Sequence, residues 1–536
     1  MRTLAKLAMA VVCLGCLIFS TAARADNLKV KTDKGKVHGK LSTDGQVREF
    51  LGVPYAAPPV GPLRWKPPQP SAKWSGARET TDFGYRCIQT NPFPDMHYRD
   101  PGENEDCLSL NIWTPAKNKG AKLPVMVWIY GGGFVAGTTS EPRQDGEHLA
   151  HKGVVVVSMN YRLGVFGFYA GQGLAEESQH HAAGNYGLMD QTAAIAWVKK
   201  NIKNFGGDPD NITIFGESAG SFSVSAQIAS PLAQGLFQHA IGESGGAFSG
   251  RGLTFKSLAD REKEDTTWAQ SVFGTSDLAA LRAMNAEDIL AKLKAKTAPG
   301  RAGSGPDVDG YFLPEPVPQI YAEGKQAHIP VIGGWNRDEP SALVANYPKP
   351  ATVASFQEAA RKAFPNSTAD FLKVYPDATD AEAVRSTIDF AGDTFIAYGT
   401  WAWLEAQVKT GGQPVYRYHF ERPSPADKYH PAGSGAFHSD EIEYVFGTLD
   451  SRVDAKWQPE DYKLSDLVET YWTNFAKSGN PNGGDAPQWP QYDASDNWQV
   501  MHLDVDAHAG PDPYRARYEF LQTEWSKPQP ENSAPQ

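Results

Sequence analysis

Continuous apolar runs alternate with amphipathic stretches through the first half of the chain. The runs PVMVWIY at 124–130 and GVVVVSMN at 153–160 are nearly unbroken, as expected for parallel strands that are covered on both faces. The stretch GLMDQTAAIAWVKKNIKNF at 187–205 has apolar residues at helical spacing, and two glycines follow it, which favours a helix that ends there. Strands that alternate with helices predict an α/β fold with a large, mostly parallel central sheet flanked by helices.

The same pattern continues through the second half of the chain. Short apolar runs predict further strands of the sheet: NITIF at 211–215, HAIGES at 239–244, HIPVIGGW at 328–335 and PVYRYHF at 414–420. The stretches 255–325 and 350–412 are rich in Ala, Lys and Glu, which predicts helices that cover the end of the sheet and wall a substrate pocket. No repeat or linker divides the chain, so we expect one domain over 26–520 and, from the polar composition of SKPQPENSAPQ, a flexible tail over 521–536.

The first 25 residues have the features of a signal peptide. Two early cations precede an apolar run at 7–20, and the small residues Ala23 and Ala25 mark a cleavage site. The cysteines of CLGC at 13–16 leave lipidation open as an alternative. No later segment has the roughly 20 apolar residues of a membrane anchor, so we expect an exported protein, either periplasmic or secreted.

Composition and charge narrow the range of partners. With 41% hydrophobic residues, 14 Trp, 21 Tyr and 25 Phe, the chain has the composition of a folded globular protein. Loss of three cations with the leader changes the net charge from -11 to -14, which disfavours nucleic acid and anionic membrane surfaces as partners.

Two cysteines remain after removal of the leader, Cys87 and Cys107. In an exported chain they predict one disulfide, with two free thiols as the alternative.

The pattern Gly-x-Ser-x-Gly occurs twice, at Ser218 and at Ser244. The pattern alone is weak evidence, because 51 glycines make chance matches common. Ser218 follows the predicted strand 211–215 and precedes AGSFSVSAQIA, which has the small residues of a helix start. This is the strand, turn and helix of a nucleophile elbow. Ser244 is followed by a glycine-rich stretch, so we expect Ser218 to be a nucleophile and Ser244 to be structural or supporting.

A serine nucleophile needs a base and an orienting acid, and the elbow predicts the order Ser, acid, His. His438 lies on a glycine-containing loop after the strand 414–420 and is the best-placed base. The other histidines beyond Ser218 compete with it: His239, His328, His419, His430, His502 and His508. Asp338 and Glu339 both follow the strand 328–335, and spacing does not choose between them.

Three glycines at 131–133 follow the strand 124–130. Backbone N–H groups at this position of such a fold form an oxyanion hole, although three glycines could also form a bare turn.

These segments together resemble the type-B carboxylesterase family of α/β-hydrolases, which includes bacterial para-nitrobenzyl esterases, liver-type carboxylesterases and cholinesterases. The resemblance runs from GKVHGK at 35–40 to about residue 505. Its motifs are EDCLSLNIW, WIYGGGF, VVSMNYRLGVFGF, GNYGLMDQ, NFGGDPDNITIFGESAG and GAFHSDEIEYVFG. It implies an α/β-hydrolase fold and a carboxylic ester hydrolase that forms an acyl-enzyme, acts on a small-molecule ester and needs no metal or cofactor.

The resemblance also assigns a role to each matching residue. The implied set is Ser218 as nucleophile, His438 as base and Glu339 as acid; Gly132, Gly133 and Ala219 as oxyanion donors; Cys87 and Cys107 as a disulfide; and Glu217 and Ser244 as supporting residues that do not react.

Two departures from the family pattern affect what the resemblance implies. Pro340 replaces the glycine that follows the acid, which puts the local turn in doubt and leaves Asp338 open. The segment 88–106 contains no Trp, whereas cholinesterases have their cation-binding tryptophan there, which argues against a choline ester. Phe134 and Phe437 are candidates to line the pocket.

Two rival functions remain, a non-catalytic adhesion member of the same fold and a serine peptidase. The occupied triad positions argue against the first, and the motifs EDCLSLNIW and WIYGGGF favour ester chemistry over the second. Aryl, phenolic, short-chain alkyl and toxin esters all remain open as substrates.

Overall fold

The computed structural model describes residues 27–248, 255–295, 305–340 and 351–527. The predicted signal peptide and residues 528–536 of the predicted tail lie outside this part of the chain. The strands are β1 (Lys29–Lys31), β2 (Lys36–His38), β3 (Lys40–Leu41), β4 (Arg48–Pro54), β5 (Ala77–Glu79), β6 (Arg86–Cys87), β7 (Glu103–Asn104), β8 (Ser109–Thr114), β9 (Leu123–Ile129), β10 (Val155–Met159), β11 (Gly207–Glu217), β12 (His239–Glu243), β13 (Lys256–Ser257), β14 (Asp307–Val308), β15 (Val331–Asn336), β16 (Val415–Phe420), β17 (Gln499–Leu503) and β18 (His508–Pro511).

Eleven of these strands form the central sheet, in the order β18-β17-β16-β15-β12-β11-β9-β10-β8-β4-β3. Neighbouring strands from β17 to β10 are parallel, and the pairs at both edges are antiparallel. All five residues of β10 are buried. Because successive side chains of a strand point to opposite faces, both faces of the sheet are covered at its centre. The predicted α/β fold with a large, mostly parallel sheet is confirmed.

Helices connect and cover the strands. The α-helices are Glu147–His151, Gly164–Phe168, Leu174–Glu177, Tyr186–Asn201, Ala219–Ala229, Leu258–Phe273, Leu278–Ala283, Ala286–Lys294, Val317–Ala322, Val353–Ala363, Thr368–Val374, Asp380–Gly392, Tyr398–Thr410, Ile442–Phe446, Pro459–Ser478 and Arg515–Trp525. The sequence predicts one helix over 187–205, and the structure has the α-helix to Asn201 and then one turn of 3-10 helix. Gly206 ends this turn at a φ of 95°, which glycine adopts without strain.

The last helix corrects one predicted boundary. It extends to Trp525, five residues into the stretch 521–536 that the composition assigns to a tail, and Leu521 is fully buried on the core. Packing of Leu521 against the core stabilises the helix at this point, although the residues that follow it are polar. No helix within the described ranges combines the length and the apolar character that crossing a membrane requires.

Cys87 and Cys107 form a disulfide that closes a loop with a sequence separation of 20 residues. Both cysteines are buried. A loop of this size lowers the conformational entropy of the unfolded chain when it is closed, which stabilises the folded state by about 3 kcal/mol.

The double variant Cys87→Ala/Cys107→Ala is therefore expected to lose about 3 kcal/mol of unfolding free energy, because its unfolded chain regains the freedom of the open loop. Urea unfolding under oxidising conditions measures the loss. Under reducing conditions the two proteins should become nearly equally stable. Equal stability under oxidising conditions would show that the loop does not contribute.

Candidate active site

Ser218 lies in a sharp turn between β11 and the helix Ala219–Ala229. Its φ is 55° and its ψ is -122°, a conformation that costs a non-glycine residue roughly 1–3 kcal/mol. The glycines on either side allow the turn to pack tightly. A Cβ on Gly216 would lie 2.6 Å from the carbonyl oxygen of Ile129, and a Cβ on Gly220 would lie 1.9 Å from that same oxygen. The turn thus has the geometry that the sequence predicts for a nucleophile elbow.

The structure brings the hydroxyl of Ser218 to an imidazole and a carboxylate. Ser218 Oγ is 2.9 Å from Nε2 of His438, and Nδ1 of His438 is 2.5 Å from Oε2 of Glu339. The other oxygen of Glu339 accepts the backbone N–H of Asn336 at 2.8 Å. Glu339 is only 2% exposed, so water has little access to its carboxylate. The two hydrogen bonds therefore hold the carboxylate in place.

Asp338, the alternative acid, has other partners. Its Oδ1 pairs with Nη1 of Arg385 at 2.5 Å, and its Oδ2 accepts the backbone N–H of Ala436 at 3.1 Å. Pro340 does not prevent Glu339 from reaching His438. Of the two carboxylates that spacing could not separate, Glu339 is the one in contact with the imidazole.

Ser244 also adopts a positive φ, 53°, at the end of β12. It is fully buried, and its hydroxyl donates to Oε1 of Glu441 at 3.4 Å. The two serines therefore occupy similar turns on neighbouring parallel strands, but only the hydroxyl of Ser218 has a hydrogen bond to His438 among the described residues.

Further buried carboxyl groups lie beside the imidazole or interact with the carboxylates that contact it. Glu217 Oε1 lies 3.3 Å from Nε2 of His438. Asn336 Nδ2 donates to Oε2 of Glu441 at 2.5 Å, and Trp472 Nε1 donates to Glu243 at 2.7 Å. Sequence reasoning missed Asn336 and Glu441, although Glu441 lies in the quoted motif GAFHSDEIEYVFG. Their only sequence signal is closeness to Glu339 and His438.

Burial and mutual repulsion set the pKa values of these groups. Burial raises the pKa of Glu217 to about 7 and that of Glu243 to about 8, and raises the pKa of Glu441 well above its ordinary value. Burial alone would lower the pKa of His438, but the carboxylates of Glu217 and Glu339 outweigh it and raise this pKa to about 9. The site therefore favours a positive charge on the imidazole.

The glycine turn at 131–133 packs directly against the elbow. A Cβ on Gly131 would lie 3.0 Å from Cβ of Ser218, and Gly132 and Gly133 have φ values of 99° and 62°. Ala219, the third predicted oxyanion donor, is the first residue of the helix that follows Ser218. Of the predicted donors, Ala219 directly follows Ser218, and Gly132 and Gly133 directly follow the glycine that packs against it.

A cavity of about 100 Å³ lies next to the loop that carries His438, although neither His438 nor Ser218 lines it. Phe437 and Ser439, which flank His438 in sequence, line it together with Arg143 and Tyr429. His430 also lines it and stacks on Phe437, with 3.8 Å between the ring centroids. Phe134, the other pocket candidate, is fully buried and packs edge-on against Phe168.

The elbow, the Ser-His-Glu contacts and the mostly parallel sheet define an α/β-hydrolase with a serine centre. Comparison with known proteins identifies the family. Residues 26–521 match the model of the "Carboxylesterase family". The chain is 35% identical to the fumonisin B1 esterase of Sphingopyxis macrogoltabida over 494 residues, which cover 90% of this chain and 88% of that protein. It is 36% identical to the liver carboxylesterase of Sus scrofa over 528 residues, with 89% and 90% covered.

A solved PNB esterase has a TM-score of 0.78 with this structure and is 33% identical, covering 94% of this chain and 100% of its own. The chain belongs to the carboxylesterase family, and the protein is a carboxylic ester hydrolase.

Gly220→Ala tests the packing of the elbow. We expect it to lower the unfolding free energy by about 3 kcal/mol, because the added Cβ meets backbone atoms of β9 that cannot rotate away. This loss should appear even though alanine is the better helix former by about 1 kcal/mol.

Denaturant unfolding measures the loss, with Gly235→Ala as the control. A Cβ on Gly235 contacts nothing within 4 Å, so its cost is only that of a φ of 77°, about 1 kcal/mol. A Gly220→Ala protein as stable as the wild type would contradict the proposed packing.

Proposed function

We propose that Ser218 is the nucleophile of ester hydrolysis, His438 its general base and Glu339 the acid that orients the imidazole. The observation that carries this proposal is the chain of contacts from Ser218 Oγ to His438 Nε2, at 2.9 Å, and from His438 Nδ1 to Glu339 Oε2, at 2.5 Å. Both distances are within reach of proton transfer or a strong hydrogen bond.

In the first step His438 Nε2 takes the proton of Ser218 as Oγ attacks the ester carbonyl carbon. Glu339 keeps the proton on Nδ1 and stabilises the imidazolium that forms. We assign the backbone N–H groups of Gly132, Gly133 and Ala219 to the developing oxyanion. Collapse of the tetrahedral intermediate breaks the bond to the alcohol oxygen, and the imidazolium gives its proton to the leaving alcohol.

In the second step water attacks the acyl-enzyme. His438 takes a proton from this water and returns it to Ser218 Oγ as the acyl bond breaks, which releases the carboxylic acid and restores the enzyme. The first proton transfer joins Ser218 Oγ and His438 Nε2, two groups that are already in contact in the structure. No step requires a metal or a cofactor.

We also infer that the enzyme is exported and acts on a small-molecule ester in the periplasm or outside the cell. The Cys87–Cys107 disulfide supports an oxidising compartment, and the signal-peptide features of the first 25 residues support export.

The two serines provide a matched test of the nucleophile. Ser218→Ala is expected to reduce kcat for a para-nitrophenyl ester by roughly 10⁴-fold or more, because the attacking oxygen is lost. Ser244→Ala is expected to keep activity within about tenfold, since its hydroxyl contacts Glu441 rather than His438. Labelling with a fluorophosphonate should fail only in Ser218→Ala. Loss of activity and labelling in Ser244→Ala alone would reverse the assignment.

The raised pKa of His438 predicts the pH dependence of the reaction. Only the neutral imidazole can accept a proton, so kcat/KM should rise with pH and level off above the pKa of His438, with a midpoint above the ordinary value of about 6.5. Glu217→Gln removes one of the two carboxylates that stabilise the imidazolium. We therefore expect its midpoint to move to lower pH by about 1 pH unit or more.

Measurements of kcat/KM from pH 5 to pH 10 give the midpoints. Glu469→Gln is the control, because Glu469 is also buried and has a raised pKa but lies beside Gly447. Its midpoint should match the wild type. If Glu217→Gln also leaves the midpoint unchanged, Glu217 does not control the charge of His438.

A further inference from the structure

Three histidines lie side by side across the last three strands of the central sheet. His419 on β16 pairs in register with His502 on β17, and His502 pairs in register with His508 on β18. Residues that face each other on neighbouring strands point to the same side of a sheet. The three imidazoles therefore form one row, and the rings of His502 and His508 stack with 5.2 Å between their centroids.

A carboxylate lies between the first two histidines of this row. Glu421 follows His419 by two residues, the spacing that places two side chains on the same face of an extended chain. Its Oε1 is 2.7 Å from Nδ1 of His419 and 2.7 Å from Nδ1 of His502. The three donor atoms all lie within 4.8 Å of one another. His419 is 3% exposed and His502 is 9% exposed, so the cluster is largely shielded from water.

Two imidazole nitrogens and one carboxylate oxygen are a common ligand set for Zn²⁺. Zinc binds such ligands at about 2.0–2.2 Å, so the three donor atoms, which lie within 4.8 Å of one another, would shift onto one point when the ion binds. The neighbouring Arg417 opposes positive charge at His419, but its guanidinium pairs with the buried carboxylate of Asp512, which offsets part of this effect. A second group of similar composition, Asp44, Glu147 and His151, is more exposed and lacks this shielding.

We propose that His419, Glu421 and His502 bind one Zn²⁺ ion that ties β16 to β17. The ion is structural, since β16 supplies none of the groups that contact the Ser218 hydroxyl. The proposed ester chemistry uses no metal. A structural ion at this edge of the sheet does not conflict with it.

The alternative is a hydrogen-bonded cluster without a metal, in which each Nδ1 carries a proton and donates it to Glu421. Zinc binding would replace both of these protons. Metal binding and the two hydrogen bonds therefore exclude each other, and a direct binding measurement distinguishes them.

The experiment uses the full mature chain without an affinity tag, first treated with EDTA and then dialysed. Titration calorimetry with zinc chloride should show one site with a micromolar or tighter Kd. Saturating zinc should raise the Tm by at least about 3 °C, because the ion binds only the folded chain. Magnesium chloride should do neither, since Mg²⁺ prefers oxygen ligands. Cobalt(II) should bind at the same site and give visible absorption bands of a nitrogen-ligated ion.

Two variants test the ligands. His502→Ala and Glu421→Gln should each weaken zinc binding at least tenfold, and Glu421→Gln keeps the shape of the side chain if His502→Ala does not fold. His328→Ala is the control, because His328 is exposed and its ring hydrogen-bonds to the carbonyl oxygen of Gly324 rather than to any residue of the proposed site. It should bind zinc as the wild type does.

No zinc uptake by the wild-type chain, or uptake that both ligand variants retain, would overturn the proposal. Ester turnover is measured in the same samples and should survive EDTA at a temperature below the Tm of the apo chain. A failure of the zinc site is thus distinguishable from a failure of the serine mechanism.

Discussion

The close packing of the backbone at residues 216–220 against strand β9 is the constraint on which the catalytic centre depends. Neither Gly216 nor Gly220 has room for a side chain, because the carbonyl oxygen of Ile129 occupies the space. With both ends of the turn held in this way, Ser218 is kept at a φ of 55°, which only a rigid surrounding can maintain. The same packing brings Gly131 against Ser218, so the proposed nucleophile and the glycine turn of the proposed oxyanion donors share one rigid contact.

The order of the parallel strands explains how distant residues meet. The strands β11, β12, β15 and β16 are consecutive neighbours in the sheet, and their carboxyl ends lie at one edge. Ser218 and Ser244 follow the first two, Glu339 follows the third, and the loop with His438 comes after the fourth. A separation of 220 residues between Ser218 and His438 thus becomes a distance of 2.9 Å. The two serine turns look alike because they end adjacent strands, and their different partners decide their different roles.

The electrostatics of the centre follow from burying several carboxyl groups around one imidazole. An isolated buried carboxylate is costly, so burial raises the pKa values of Glu217, Glu243 and Glu441. The cluster then carries fewer negative charges at neutral pH than it has carboxyl groups. The charges that remain stabilise the imidazolium of His438, which is the species that forms when the imidazole takes a proton. Because these charges raise the pKa of His438 to about 9, they also favour the imidazolium in the resting site at neutral pH.

Local sequence determines some features of the fold and of the candidate site, and contacts between distant residues determine others. The central strands and the elbow at Ser218 could be predicted because each depends on a few consecutive residues: an unbroken apolar run, or a strand followed by Gly-x-Ser-x-Gly and a helix. The choice between Asp338 and Glu339 could not, because it depends on Arg385, which lies 47 residues away and binds Asp338. The bond between Asn336 and Glu441 likewise joins positions 105 residues apart. Such partners follow from strand order and register, so a sequence pattern that points to Ser218 as the proposed nucleophile does not by itself identify the groups that set the charge of His438.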